Sequence, residues 1–123
     1  MKIVEIAFTG YPVTDMPRAR AFYEDALKLE PTRTFESGDR QWIEYDLGSS
    51  TFAISNMDSE GWKPSNDGPS IAFEVEDFDS AVAALRAKSV TFIHEPFETP
   101  ACWMTIVRDP DGNSICIHKR HVH

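Results

Sequence analysis

The chain has 123 residues, of which 41% are apolar and 26% charged, with a formal net charge of −8. Such a balance fits a globular protein of one domain or two half-size modules. It argues against a nucleic-acid partner, whose phosphates demand a basic face, and no run of about 18 apolar residues offers a membrane span.

Ile3 to Phe8 is rich in β-branched and apolar residues and predicts a strand, ended or kinked by Gly10 and Pro12. Asp15 predicts a helix N-cap, with Pro17 in the first turn. Ala19, Phe22, Tyr23 and Ala26-Leu27 then recur at helical spacing until Pro31 closes the region. A short strand over Thr32–Glu36, a turn at Ser37-Gly38-Asp39 and a hairpin of Gln41–Leu47 with Thr51–Ser55 complete the first half.

A polar stretch over 57–68, containing Trp62, reads as a linker. Ser70–Val75 predicts a strand, and Asp77 caps a helix that carries Phe78, Ala81, Val82 and Leu85 on one face and ends near Lys88. Strands over Val90–Ile93, Trp103–Arg108 and Ser114–His118 follow, the last two joined by Asp109-Pro110-Asp111-Gly112-Asn113. The remaining residues, through His123, read as a solvated basic tail.

The order βαβββ therefore occurs twice, and the two cap residues lie 77 − 15 = 62 positions apart. Internal repetition predicts an α+β fold of two βαβββ modules, about 1–56 and 69–123, forming curved sheets around a cleft. Helices on one sheet face leave the other to line that cleft, which is where a small apolar ligand is expected. Two cysteines, Cys102 and Cys116, make no disulfide framework. With no apolar leader after Met1-Lys2, free thiols and a cytoplasmic location are expected.

Val13-Thr14-Asp15, Ala21-Phe22-Tyr23-Glu24 and the Asp109–Asn113 turn resemble the vicinal oxygen chelate superfamily, which includes glyoxalase I, extradiol dioxygenases and bleomycin-resistance proteins. The resemblance covers nearly the whole chain and implies the glyoxalase/bleomycin-resistance fold. It also implies a divalent metal held by cleft side chains from two kinds of position, seven residues before the cap Asp and four after the turn glycine. In this sequence those positions read Phe8, Phe52, Ser70 and Cys116. Phe cannot ligate and Ser is a poor ligand, while one thiolate makes no site. The expectation is a metal-free protein without a cofactor, similar in kind to the bleomycin-resistance members. The alternative is a metal-dependent lyase or dioxygenase with atypical ligands from Cys116, His118 and His94 or Glu74.

Strand alternation places Ser114, Cys116 and His118 on one face and the isoleucines between them on the other. Cys116 beside His118 is a candidate activated nucleophile for a thiol-dependent enzyme, with Glu74 as a further candidate. Trp42 with Glu44, and Trp103 with Thr105, share strand faces and are candidate walls for an aromatic ligand. Trp62 is placed to close over it. The expected ligand-binding set is thus Phe8, Trp42, Glu44, Phe52, Ser70, Trp103, Cys116 and His118. The expected partners are a small molecule and a second copy of the chain, since homodimers are implied by the resemblance and exposed sheet edges need cover.

Overall fold

The computed structural model describes residues 1–57 and 62–122, so 58–61 of the predicted linker and His123 lie outside the described residues. The chain divides into two compact units, Met1–Pro64 and Ser65–His123. No helix among the described residues is long and apolar enough to cross a membrane.

The first unit contains β1 (Thr9–Pro12), α1 (Met16–Arg20), a π-helical continuation (Ala21–Ala26), β2 (Arg33–Ser37), β3 (Arg40–Leu47) and β4 (Ser50–Ser55). Its sheet runs β1-β4-β3-β2, with β1 parallel to β4 and the other pairs antiparallel. The second unit repeats this plan with β5 (Ile71–Glu74), α2 (Phe78–Ala87), β6 (Thr91–Glu98), β7 (Cys102–Arg108) and β8 (Ser114–Arg120), in the order β5-β8-β7-β6. The capping chemistry repeats as well. Asp15 Oδ1 accepts from the Arg18 N–H at 3.1 Å and Asp77 Oδ1 from the Ser80 N–H at 3.0 Å, each satisfying an otherwise orphaned helix donor.

The repeat is not exact in length, and the helix absorbs the difference. Positive φ marks the helix exits at Lys28 and Ser89. From cap to exit is 28 − 15 = 13 residues in the first half and 89 − 77 = 12 in the second. The extra residue falls in the half whose helix carries the π-helical turn, Ala21–Ala26, and such a turn holds more residues than an α-turn.

The predicted strand over Ile3–Phe8 is corrected: β1 begins at Thr9, and residues 1–8 form no strand. A strand needs a ladder beside it. Thr9 pairs with Phe52, and β4 begins at Ser50 after the turn at Gly48. Chain upstream of about residue 7 therefore runs past the end of its neighbour, whatever its β propensity. At the other end the predicted solvated tail is also corrected. β8 continues to Arg120, and His121 is anchored by Nε2 contacts to Glu98 at 3.0 Å and the Thr99 carbonyl at 3.1 Å.

Pairing register sorts the side chains by face. In the first sheet Ile43, Tyr45, Phe52 and Ile54 share one face, where Tyr23 from the helix meets Phe52 at 5.3 Å between ring centroids. This is the helix-covered core. Within it the buried Tyr45 hydroxyl donates to Glu24 at 2.8 Å, and burial with that bond pushes its pKa well up. In the second sheet Thr105, Val107, Ile115 and Ile117 form the matching core face. The Asp109–Asn113 turn is bonded internally. Asp109 Oδ1 accepts from the N–H groups of Asp111 and Asn113, both at 2.9 Å, and Gly112 takes φ 91°, a value that favours glycine.

Candidate functional site

The face of the first sheet away from the helix carries Trp42, Glu44, Ala53, Ser55 and Gly10, related by the strand pairings of β1, β3 and β4. Three aromatic rings gather there. Phe8 meets Trp42 edge-on at 5.0 Å, and Trp42 lies 6.3 Å from Trp62 at an interplanar angle of 32°. Gly10 lies beneath them: a Cβ at this position would sit 3.5 Å from the Phe8 ring and 3.6 Å from the Trp62 ring. Those are ordinary van der Waals distances, so the two rings lie directly over this position of β1. Trp42 and Trp62 are partly exposed, and Phe8 keeps 48% of its surface.

One polar group is fixed beside these rings. The Trp42 indole N–H donates to Glu44 Oε2 at 2.9 Å, and Arg33 Nε donates to Glu44 Oε1 at 2.5 Å. Arg33 also grips Asp46 with two bonds, at 2.7 and 3.1 Å. The Trp42 indole and then Arg33 hold the Glu44 carboxyl below the usual carboxylate range. Glu44 is therefore an anchored anion that orients the Trp42 ring. Sequence reasoning paired Trp42 with Glu44 but missed Arg33, whose role depends on β2 pairing with β3, where Arg33 stands opposite Glu44.

Two predicted ligand-binding residues are corrected. Phe52 is 1% exposed and packs on Tyr11, Tyr23 and Tyr45 in the helix-side core. Counting four residues from Gly48 lands on the core face, because Leu47 pairs with Ser50 across a two-residue turn, whereas Arg108 pairs with Ser114 across five residues and sets the opposite alternation in β8. Trp103 does share a face with Thr105, but that face is the core face, where Trp103 stacks on Phe78 of α2 at 6.2 Å.

On the second sheet Cys116 and His118 lie on the face opposite Ile115 and Ile117, as alternation predicts, with Ala72 and Glu74 beside them on β5. Their side chains do not form a nucleophile and base. The Cys116 thiol is directed at the Ile117 carbonyl at 3.8 Å, and burial pushes its pKa up, which disfavours the reactive thiolate. His118 Nδ1 instead meets Glu74 Oε1 at 2.5 Å, while Glu74 Oε2 accepts the Arg120 N–H at 2.8 Å. Ser70 lies exposed, just before β5 rather than in it.

Glu74 thus ties β5 to β8, and the Arg120 N–H, followed by His118, lowers its pKa. A carboxyl depressed in the folded state stabilises above its unfolded pKa and loses that contribution as pH falls through the lower folded value. The expected result is that wild type loses urea resistance more steeply than Glu74→Gln below about pH 4. Parallel slopes in urea midpoints across that range would show that the carboxylate contributes nothing. The effect is small, since the Glu74 side chain is 42% exposed.

Both units follow one plan, a parallel-paired first strand beside the last strand and one face covered by a helix, which defines a duplicated βαβββ protein. The chain belongs to the Glyoxalase/Bleomycin resistance protein/Dioxygenase superfamily, whose family model matches residues 3–117. No curated protein matches the sequence. Among solved structures it is similar to TnmS3, an antibiotic binding protein from Streptomyces sp. CB03234, at 19% identity and TM-score 0.78, covering 98% of this chain and 99% of the other. A glyoxylase/bleomycin resistance protein/dioxygenase domain from Frankia sp. EAN1pec gives 16% identity and TM-score 0.77, covering 98% and 100%. The integron cassette protein VCH_CASS1 of V. Cholerae gives 23% identity and TM-score 0.71, covering 97% of each chain. At such identities the likeness is one of fold.

The family's divalent metal does not fit the side chains present. Of the four corresponding positions, Phe8 belongs to the ring cluster, Phe52 to the core, Ser70 to an exposed loop, and Cys116 is a buried thiol. Among the described residues no three His, Cys, Asp or Glu side chains gather in a group suited to a metal ion. The atypical set of Cys116, His118 and Glu74 or His94 is included in that statement.

Proposed function

We propose that the protein binds a planar apolar or aromatic small molecule and holds it without converting it. The observation that carries this reading is the cluster of Phe8, Trp42 and Trp62 on the open face of the first sheet. Clustered aromatic rings left partly exposed on a sheet provide a large apolar contact area. Offset stacking adds about 0.5–1.5 kcal/mol per ring pair beyond burial alone. Glu44, already committed to Arg33 and the Trp42 indole, holds the wall in place. Sequestration needs only that contact, and the similarity in fold to an antibiotic binding protein agrees with it. Cys116 and His118 provide weaker support for an enzyme, because His118 is engaged by Glu74.

The test is a tryptophan-fluorescence titration with acridine and naphthalene, paired with thermal unfolding. A binder shows saturable quenching and a stability gain of about 2.7 kcal/mol at a hundredfold excess over Kd. Neither quenching nor a thermal shift with any planar probe up to about 1 mM, a Kd corresponding to only about −4 kcal/mol, would sink the proposal.

A further inference from the structure

Arg108 differs from the arginines that pair with acids. Arg20 pairs with Glu24, Arg33 with Glu44 and Asp46, and Arg86 with Glu95. Arg108 is half-buried at the end of β7, and its Nε is shielded from solvent without a hydrogen-bond partner among the described residues. No carboxylate among those residues pairs with it, although the chain has 20 acidic residues against 12 Lys and Arg. The acid next to it in sequence is committed to the turn: Asp109 accepts from the N–H groups of Asp111 and Asn113 and from the Asn113 amide at 2.8 Å. A partly desolvated cation without a counter-charge is costly, and an unsatisfied group of this kind is a natural place for a bound ion.

Strand pairing sets what surrounds it. Arg108 stands between Thr91 of β6 and Ser114 of β8, and directly paired residues share a face. That face is the one away from the core residues Val107 and Ile115. One step further along it lie Ile106 and Cys116, with Ala72 beside Cys116. The face is therefore cationic and polar at Arg108 and apolar beyond it, as far as His118, which Glu74 engages. Ser114 to His118 is four residues of strand, roughly 13 Å.

We propose that this face of the second sheet binds a small organic carboxylate, with Arg108 as its anchor and Ile106, Cys116 and Ala72 as its apolar floor. A guanidinium presents a planar fork of donors that matches a carboxylate and makes two parallel bonds to it. The shielded Nε leaves that task to the terminal Nη groups. One cation balances one negative charge, whereas the second charge of a phosphate would face a chain of net charge −8. An inorganic anion would also leave the apolar floor unused, and burial of ligand surface there adds affinity. The site belongs to the second unit alone and does not rest on the ring cluster of the first.

The probes are 2-naphthoate, its neutral counterpart 2-naphthamide, and acetate, each titrated calorimetrically at neutral pH. Wild type is expected to bind 2-naphthoate at least about tenfold more tightly than either of the others. Arg108→Met, which keeps the apolar stem and removes the charge, is expected to lose the preference for 2-naphthoate over 2-naphthamide. Trp42→Ala is expected to keep that preference, which separates this site from the ring cluster. Four outcomes would overturn the inference: a wild type that does not distinguish 2-naphthoate from 2-naphthamide, acetate bound as tightly as 2-naphthoate, an undiminished preference in Arg108→Met, or a preference lost in Trp42→Ala. Should Arg108→Met fail to fold, Arg108→Gln gives the same reading.

Discussion

Phe52→Ala is expected to lower the unfolding free energy by about 3–5 kcal/mol, the cost of removing a large aromatic side chain from a packed core. The ring is in contact with three tyrosines, at centroid distances of 5.3 to 6.2 Å. Its loss leaves a cavity bounded by Tyr11, Tyr23 and Tyr45, and large rings cannot readily collapse into such a space. Chemical denaturation checks the size of the loss. The fraction that remains folded is expected to bind a planar probe within about threefold of wild type, a difference of less than 1 kcal/mol. A selective loss of binding with stability intact would instead place Phe52 in the site. If the alanine variant does not fold, Phe52→Leu offers a milder version, costing about 1–2 kcal/mol.

Trp42→Ala is expected to show the opposite pattern. Trp42 is the central ring of the cluster, edge-on to Phe8 and 6.3 Å from Trp62. Removing it takes away the stacking surface and releases Glu44 from one of its two donors. Loss of a central aromatic anchor typically costs about 2 kcal/mol of binding, roughly a 30-fold weaker Kd. Calorimetric titration with the probe that binds wild type measures this directly. The stability loss is expected to stay near 1 kcal/mol, because the side chain is only partly buried and stands on the open face. Unchanged affinity in Trp42→Ala would remove the ring cluster as the site.

The contrast between these two substitutions marks where sequence reading succeeded and where it failed. Trp42 with Glu44 was legible because alternation along a single strand needs only a count of two. Phe52 was misplaced because its face depends on how many residues the turn at Gly48 consumes, and one residue flips a side chain to the other side of the sheet. Trp103 and Thr105 were correctly placed together, but a local count does not reveal which face of the sheet the helix covers. Arg33 was missed since its partners Glu44 and Asp46 lie one strand away. The Glu74–His118 contact joins residues 44 positions apart, which alternation alone does not bring together.

By itself, the sequence determined the duplicated βαβββ order, the two Asp caps and the Asp109–Asn113 turn. Each of these is carried by short-range periodicity or by turn and cap chemistry within a few residues. Only the tertiary structure decided that β1 starts at Thr9, that Phe52 belongs to the core and Trp103 to the helix-side face, and that Phe8, Trp42 and Trp62 meet over Gly10. Those outcomes depend on which strands pair, where a neighbouring ladder ends and which face receives the helix. Such long-range pairings leave little trace in local residue preferences.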